Sequence, residues 1–294
     1  MKNNLLGTGV ALVTPFDQNK AIDYPALARV IEHVIAGGAD YLVALGTTAE
    51  TPTLTAEEKK EVSAFIREQN AGRLPLVLGI GGNSTEEVVN QVEYCDLEDV
   101  IAILSVTPYY NKPSQEGLYQ HYKTVADASP KPVILYNVPG RTGVNMTAET
   151  TLRLAHDCPN IKAIKEASGS LSQISYILRD KPEEFLVISG DDNMALPLIA
   201  LGGDGVISVA ANAFPGPVSR MVQLCLSGDF AGASAIQLHL LECVESLFCE
   251  GNPVGVKAAL AMKGLIRNEL RLPLVACSDG LCEKLEKLVK KYDL

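Results

Sequence analysis

No run of lysine and arginine in this chain is longer than a pair, as at Lys59-Lys60 and Lys290-Lys291. With a formal charge of -10, that absence argues against nucleic acid as a partner. No apolar run approaches the roughly 18 residues that a membrane helix needs, so no membrane partner is expected. The stretch Met1-Lys2-Asn3-Asn4-Leu5-Leu6-Gly7 lacks the apolar core of a secretion signal. No Cys-x-x-Cys pair occurs among Cys95, Cys158, Cys225, Cys243, Cys249, Cys277 and Cys282. An odd number of cysteines without that spacing fits reduced thiols in a cytoplasmic protein better than a disulfide framework. There is no low-complexity tract and no internal repeat.

What is present is an ordinary globular composition, 294 residues with 47% hydrophobic and 20% charged. Eight short runs have the character of strands: Thr8–Val13, Tyr41–Leu45, Leu76–Ile80, Ile101–Val106, Val133–Tyr136, Ile161–Lys165, Leu186–Ser189 and Val206–Val209. Most are rich in Val, Ile or Leu and closely followed by Gly, Pro, Ser, Thr or Asn, as strands covered on both faces often are. The segments between them carry helical spacing, for example Leu27, Val30, Ile31 and Val34. Asp23 before Tyr24-Pro25 reads as an N-cap, and Thr55…Glu58 and Ser84…Glu87 have the capping-box form. This alternation predicts an α/β fold of the (β/α)8 barrel type over residues 1–227. Residues 228–294 read as a C-terminal helical region of about three helices, interrupted at Asn252-Pro253 and at Arg271-Leu272-Pro273. A doubly wound open sheet is the alternative. Its dinucleotide fingerprint fails because Ser84 ends the run Gly79-Ile80-Gly81-Gly82-Asn83-Ser84.

In such a barrel the reactive groups sit at the C-terminal ends of strands and in the loops after them. That rim collects Thr47 and Thr48, Tyr109 and Tyr110, Tyr136, Arg141, Lys165, Asp191-Asp192 and Ser208. Lys165 and Tyr136 fall on adjacent strands. Lys162, three residues earlier and on the opposite side of an alternating strand, belongs near the bottom or outer surface. A lysine half-buried at the end of an apolar strand is a candidate for covalent chemistry, because burial disfavours the ammonium. Its neutral amine condenses with a ketone; the protonated imine is an electron sink, so an α-proton can leave to a base and give an enamine. The nearby hydroxyls of Tyr136, Tyr110 and Thr47 suit proton transfer. The Thr47-Thr48 turn offers donors for one carboxylate, and Arg141 grips a second. Asp191-Asp192 reads as an N-cap for a helix Asn193–Leu201 rather than a metal pair. His33, His121, His156 and His239 show no ligand spacing.

Four motifs in order, Gly46-Thr47-Thr48, Thr107-Pro108-Tyr109-Tyr110-Asn111-Lys112-Pro113, Tyr136-Asn137-Val138-Pro139-Gly140-Arg141-Thr142-Gly143 and Ile164-Lys165-Glu166, resemble the dihydrodipicolinate synthase family. Asn252-Pro253 and Lys257 extend the resemblance into the tail. It implies condensation of pyruvate with L-aspartate-4-semialdehyde in the diaminopimelate route to lysine, with no metal or organic cofactor. Lys165 would form the Schiff base and Tyr136 would be the general acid/base, with Thr47 and Tyr110 completing a proton relay. Thr48 would bind the pyruvate carboxylate and Arg141 that of the semialdehyde, while Gly190 and the Ile207 carbonyl line the pyruvate site. Tyr110 would act across a subunit interface, in a homodimer or a homotetramer built as a dimer of dimers. Asn83, Glu87 and Tyr109 match the family's allosteric lysine pocket, but Ala56 and Lys59 stand where lysine-inhibited relatives often carry imidazoles. Ala49 replaces the usual glycine of the turn. The rival readings are another pyruvate aldolase, such as N-acetylneuraminate lyase, and a non-catalytic barrel that senses a keto acid.

Overall fold

The β-type runs pair side by side in parallel and in chain order, and β8 returns to β1 to close a barrel. The strands are β1 Gly7–Ala11, β2 Tyr41–Ala44, β3 Leu76–Gly79, β4 Val100–Val106, β5 Val133–Asn137, β6 Ile161–Glu166, β7 Leu186–Ser189 and β8 Gly205–Ser208. The computed structural model describes residues 4–292; the first three residues of the amino-terminal stretch and the last two of the helical tail lie outside them. Each strand lies within two residues of the run read from the sequence, and closure excludes the open sheet. At the closing seam Gly205 adopts φ 148°, and a Cβ there would stand 2.0 Å from the Gly7 carbonyl oxygen. Only glycine satisfies both demands.

Alternate residues of each strand serve two cores. Tyr41, Val77, Leu104, Ile134, Ala163, Ile188 and Ile207 fill the barrel interior. Leu42, Leu78, Ile103, Leu135, Ile164 and Val187 face outward into a cluster shared with the helices. Burial on both faces is why these strands read as continuous apolar runs rather than alternating ones.

The helices are α1 Tyr24–Ala36, α2 Ala56–Asn70, α3 Thr85–Tyr94, α4 Gln115–Ala128, α5 Pro139–Thr142, α6 Ala148–Asp157, α7 Leu171–Asp180, α8 Ala195–Ala200, α9 Pro215–Leu226, α10 Phe230–Phe248, α11 Val254–Met262 and α12 Asp279–Tyr292. Asp23 caps α1 by accepting from the Ala26 N–H, and Thr55 with Glu58 forms a full capping box on α2. The last three helices are those expected of the tail. Leu240, Val256, Leu260 and Leu285 carry them into the same outer core as the barrel helices. Among the described residues, no helix is long and apolar enough to cross a membrane.

Two sequence readings are corrected. Cys277 and Cys282 are joined by a disulfide across a Cα separation of 6.2 Å, whereas all seven cysteines were expected as thiols. The turn that starts α12 brings together residues five apart, a geometry that no short Cys-spacing rule anticipates. The helix expected at Asn193–Leu201 is instead a 3-10 turn, Asp192–Met194, followed by α8. Asp191 still caps it, accepting from the Asn193 N–H at 2.9 Å.

Candidate active site

β6 sets the position of the central amine. Ala163 faces the barrel interior and Ile164 the helices, so alternation turns Lys165 inward. Lys162 is skipped in the pairing where the β5–β6 register shifts, and it is half-buried near the strand's start. Lys165 is 5% exposed and pairs in register with Tyr136 on β5. Its Nζ stands 4.1 Å from the Tyr136 ring centroid, a cation–π contact whenever the amine is charged.

The strand ends are held by buried polar bonds. The Glu166 carboxylate, 1% exposed, accepts from Asn137 Nδ2 at 3.2 Å, Gln173 Nε2 at 3.0 Å and the Ser168 N–H at 2.7 Å. These bonds brace the outer side of the two strands whose inner sides carry Tyr136 and Lys165. Gly190 donates its N–H to the Glu166 carbonyl at 2.8 Å. A methyl there would meet Lys165 Cγ at 3.0 Å and Cε at 3.1 Å, so the missing side chain is the space the lysine occupies.

Two cavities open on this rim and share Tyr136, Val138 and Arg141. The larger, about 410 Å³, is lined by Thr48, Lys165, Gly190, Asp191, Phe248 and Asn252 among others. The smaller, about 280 Å³, carries Thr47, Lys59, Tyr109 and Thr142. The Thr47-Thr48 pair therefore splits, Thr48 toward the amine and Thr47 toward the second cavity, with Tyr136 common to both. Thr48 Oγ1 accepts from Asn252 Nδ2 at 2.9 Å. A hydroxyl that accepts from an amide has its own proton free to donate, which suits a carboxylate oxygen. Arg141 Nη2 donates to the Asn252 carbonyl at 3.3 Å.

Several other sequence-derived candidates line neither cavity. Ile207 is 1% exposed in the interior cluster. Tyr110 is 88% exposed, has φ 71° and lines neither cavity of its own chain. Asn83 Nδ2 donates to the Tyr109 carbonyl at 3.2 Å, while Glu87 is exposed on α3. The methyl of Ala49 is not strained: it sits in a 3-10 turn, Thr47–Ala49, and the left-handed residue is the next one, Glu50, at φ 53°. Asp192 is buried; its carboxylate accepts from Ser208 Oγ and from the Val209 and Ala210 N–H groups, which ties β7 to β8. Desolvation pushes its carboxyl upward. Among the described residues, no cluster of three or more His, Cys, Asp or Glu is placed to hold a metal ion.

Sequence reasoning missed one pair. Glu50, just after the Thr47–Ala49 turn, and Lys257 on α11 form an ion pair whose side chains are both 0% exposed. Burial pushes the Lys257 ammonium down to about 8, and Glu50 acts against that shift. The two lie 207 positions apart, and no local pattern links them.

Fold and site together define a (β/α)8 barrel enzyme with an amine-bearing cavity at its catalytic rim. The model of the dihydrodipicolinate synthetase family matches residues 4–292. A 4-hydroxy-tetrahydrodipicolinate synthase of Parabacteroides distasonis is 52% identical over 291 residues, 99% of this chain and 98% of that protein. The crystal structure of dihydrodipicolinate synthase from Aquifex aeolicus superposes with a TM-score of 0.95 at 43% identity, covering 99% of each chain. A chloride-inhibited dihydrodipicolinate synthase from Acinetobacter baumannii, complexed with pyruvate, gives 0.95 at 40% identity over 98% of this chain and 99% of that one. The chain belongs to the dihydrodipicolinate synthetase family.

Proposed function

We propose that this protein is a lyase of the 4-hydroxy-tetrahydrodipicolinate synthase type, condensing pyruvate with L-aspartate-4-semialdehyde in lysine biosynthesis by the diaminopimelate route. The observation that carries the reading is the placement of Lys165: buried, 4.1 Å from the Tyr136 ring and in one cavity with Thr48 and Arg141.

In this reading the Lys165 amine attacks the keto carbon of pyruvate. A C–N bond forms, and the keto oxygen leaves as water after taking up two protons. The imine then gives up a methyl proton and becomes an enamine, whose carbon attacks the semialdehyde's carbonyl. Tyr136 carries protons to and from these centres, with Thr47 beside it in the second cavity and Tyr110 supplied by a neighbouring subunit. Thr48 donates to the pyruvate carboxylate, and Gly190 and the Ile207 carbonyl complete that subsite. Arg141, at the junction of the cavities, receives the carboxylate of the semialdehyde. The exposure of Tyr110 and its left-handed backbone support an assembly of two or four copies. The same reading takes the enzyme to be cytoplasmic. Asn83, Glu87 and Tyr109 would form an allosteric lysine pocket. Lys59, which lines the adjoining cavity, places a like charge before a lysine side chain and disfavours it.

Assay with pyruvate against two partners separates this function from its nearest rival. Turnover is expected with L-aspartate-4-semialdehyde and none in the cleavage of N-acetylneuraminate. The reverse pattern contradicts the proposal.

A further inference from the structure

The turn bearing Thr47 and Thr48 is fastened to the far end of the chain by buried charge. Glu50 closes this turn: its N–H donates to the Thr47 carbonyl at 3.1 Å, and its backbone takes a left-handed conformation unusual for a side-chain-bearing residue. One carboxylate oxygen of Glu50 meets Lys257 Nζ, and the other accepts from the Arg271 N–H at 3.0 Å. Lys257 also donates to the Glu269 carbonyl at 2.9 Å, and its Nζ stands 4.1 Å from the Phe16 ring centroid. Residues just before α11 act on the same turn, since Asn252 donates to the Thr48 hydroxyl. Thr51 Oγ1 bonds the carbonyls of Leu45 at 3.0 Å and Gly46 at 2.7 Å, locking the start of the turn.

We infer that Glu50 and Lys257 are positioning residues for the reaction: through this pair α11 fixes the Thr47–Ala49 turn where Thr48 can donate to the carboxylate of the keto acid. Neither residue lines either cavity of the rim, so the pair acts through the turn rather than on substrate. An apolar pair would fill the same volume. A charged pair with both carboxylate oxygens bonded and the ammonium held by two acceptors favours one geometry, because a slip leaves a charge buried without its partner. The inference rests on the proposed function, which supplies the keto acid.

The test is steady-state kinetics of Glu50→Gln and Lys257→Met beside Leu154→Ala, a cavity variant in α6 that lowers the melting temperature away from the site. In both clamp variants the KM for pyruvate is expected to rise about tenfold, the size of effect that one misplaced hydrogen bond to a charged group produces. The KM for the semialdehyde should stay within about twofold, and Leu154→Ala should keep the wild-type pyruvate KM at a comparable loss of melting temperature. If the clamp variants fail to fold, Thr51→Val loosens the same turn without burying a charge, and a raised pyruvate KM is again expected. An unchanged pyruvate KM in the folded variants, or an equal rise in Leu154→Ala, overturns the inference. A wild-type protein that forms no covalent adduct with pyruvate overturns the functional reading instead.

Discussion

At the scale of single residues, Tyr136 offers the cleanest separation of roles. Its ring contacts Lys165 Nζ, and its hydroxyl is the group proposed to move protons. Tyr136→Phe keeps the ring and deletes the hydroxyl, so the pyruvate adduct should still form while kcat falls by about 10²–10⁴-fold, the usual worth of a positioned acid/base. Stopped-flow or coupled assay of the variant measures this, and an unaltered kcat would remove Tyr136 from the relay. Lys165 was legible in the sequence because a lysine within an apolar strand stands out and alternation fixes which way it faces. The Glu50–Lys257 pair was not legible. Lys257 stands out in its apolar helix much as Lys165 does in its strand, but nothing local names its partner: Glu50 lies on a distant element, and only the closed fold brings the two together. Ala49, standing where the resemblance leads one to expect glycine, is accommodated because the left-handed backbone falls on Glu50 instead.

Elements were read best where a local rule governs them. Strands buried on both faces announce themselves as Val, Ile and Leu runs, and caps such as Asp23 and Thr55 act within three residues of their own position. The 3-10 turn before α8 and the Cys277–Cys282 disulfide were not foreseen, because tertiary neighbours and a loop's path decide them. One junction between elements carries a pH signature. Arg271, in the loop before α12, holds the Glu58 carboxyl of α2 down to about 2, chiefly by hydrogen bonding, with opposing desolvation. A carboxylate whose folded pKa is depressed stabilises the fold above its unfolded value, near 4.5, and loses that contribution as the pH falls toward about 2. Partial solvent exposure of the pair limits its worth to about 1 kcal/mol. Glu58→Gln should therefore melt below the wild type at neutral pH, and the gap should close as the pH drops from about 4.5 to about 2. Thermal unfolding across that range checks it; a gap that stays constant with pH contradicts the assignment.

At the scale of the whole molecule, the barrel brings β5 and β6 side by side, and their register sets Tyr136 beside Lys165. The loops after β2, β5 and β7 then add Thr48, Arg141 and Gly190 around one cavity, and the helical tail closes it with Phe248 and Asn252. The tail thus completes the site built on the barrel rim. The central claim is that this cavity exists to let Lys165 bond covalently to pyruvate. Borohydride reduction in the presence of pyruvate, followed by peptide mass spectrometry, tests it most directly. The account predicts a gain of about 72 Da on Lys165 alone, absent from Lys165→Ala. An unmodified Lys165, or an adduct carried by Lys162 instead, would contradict it.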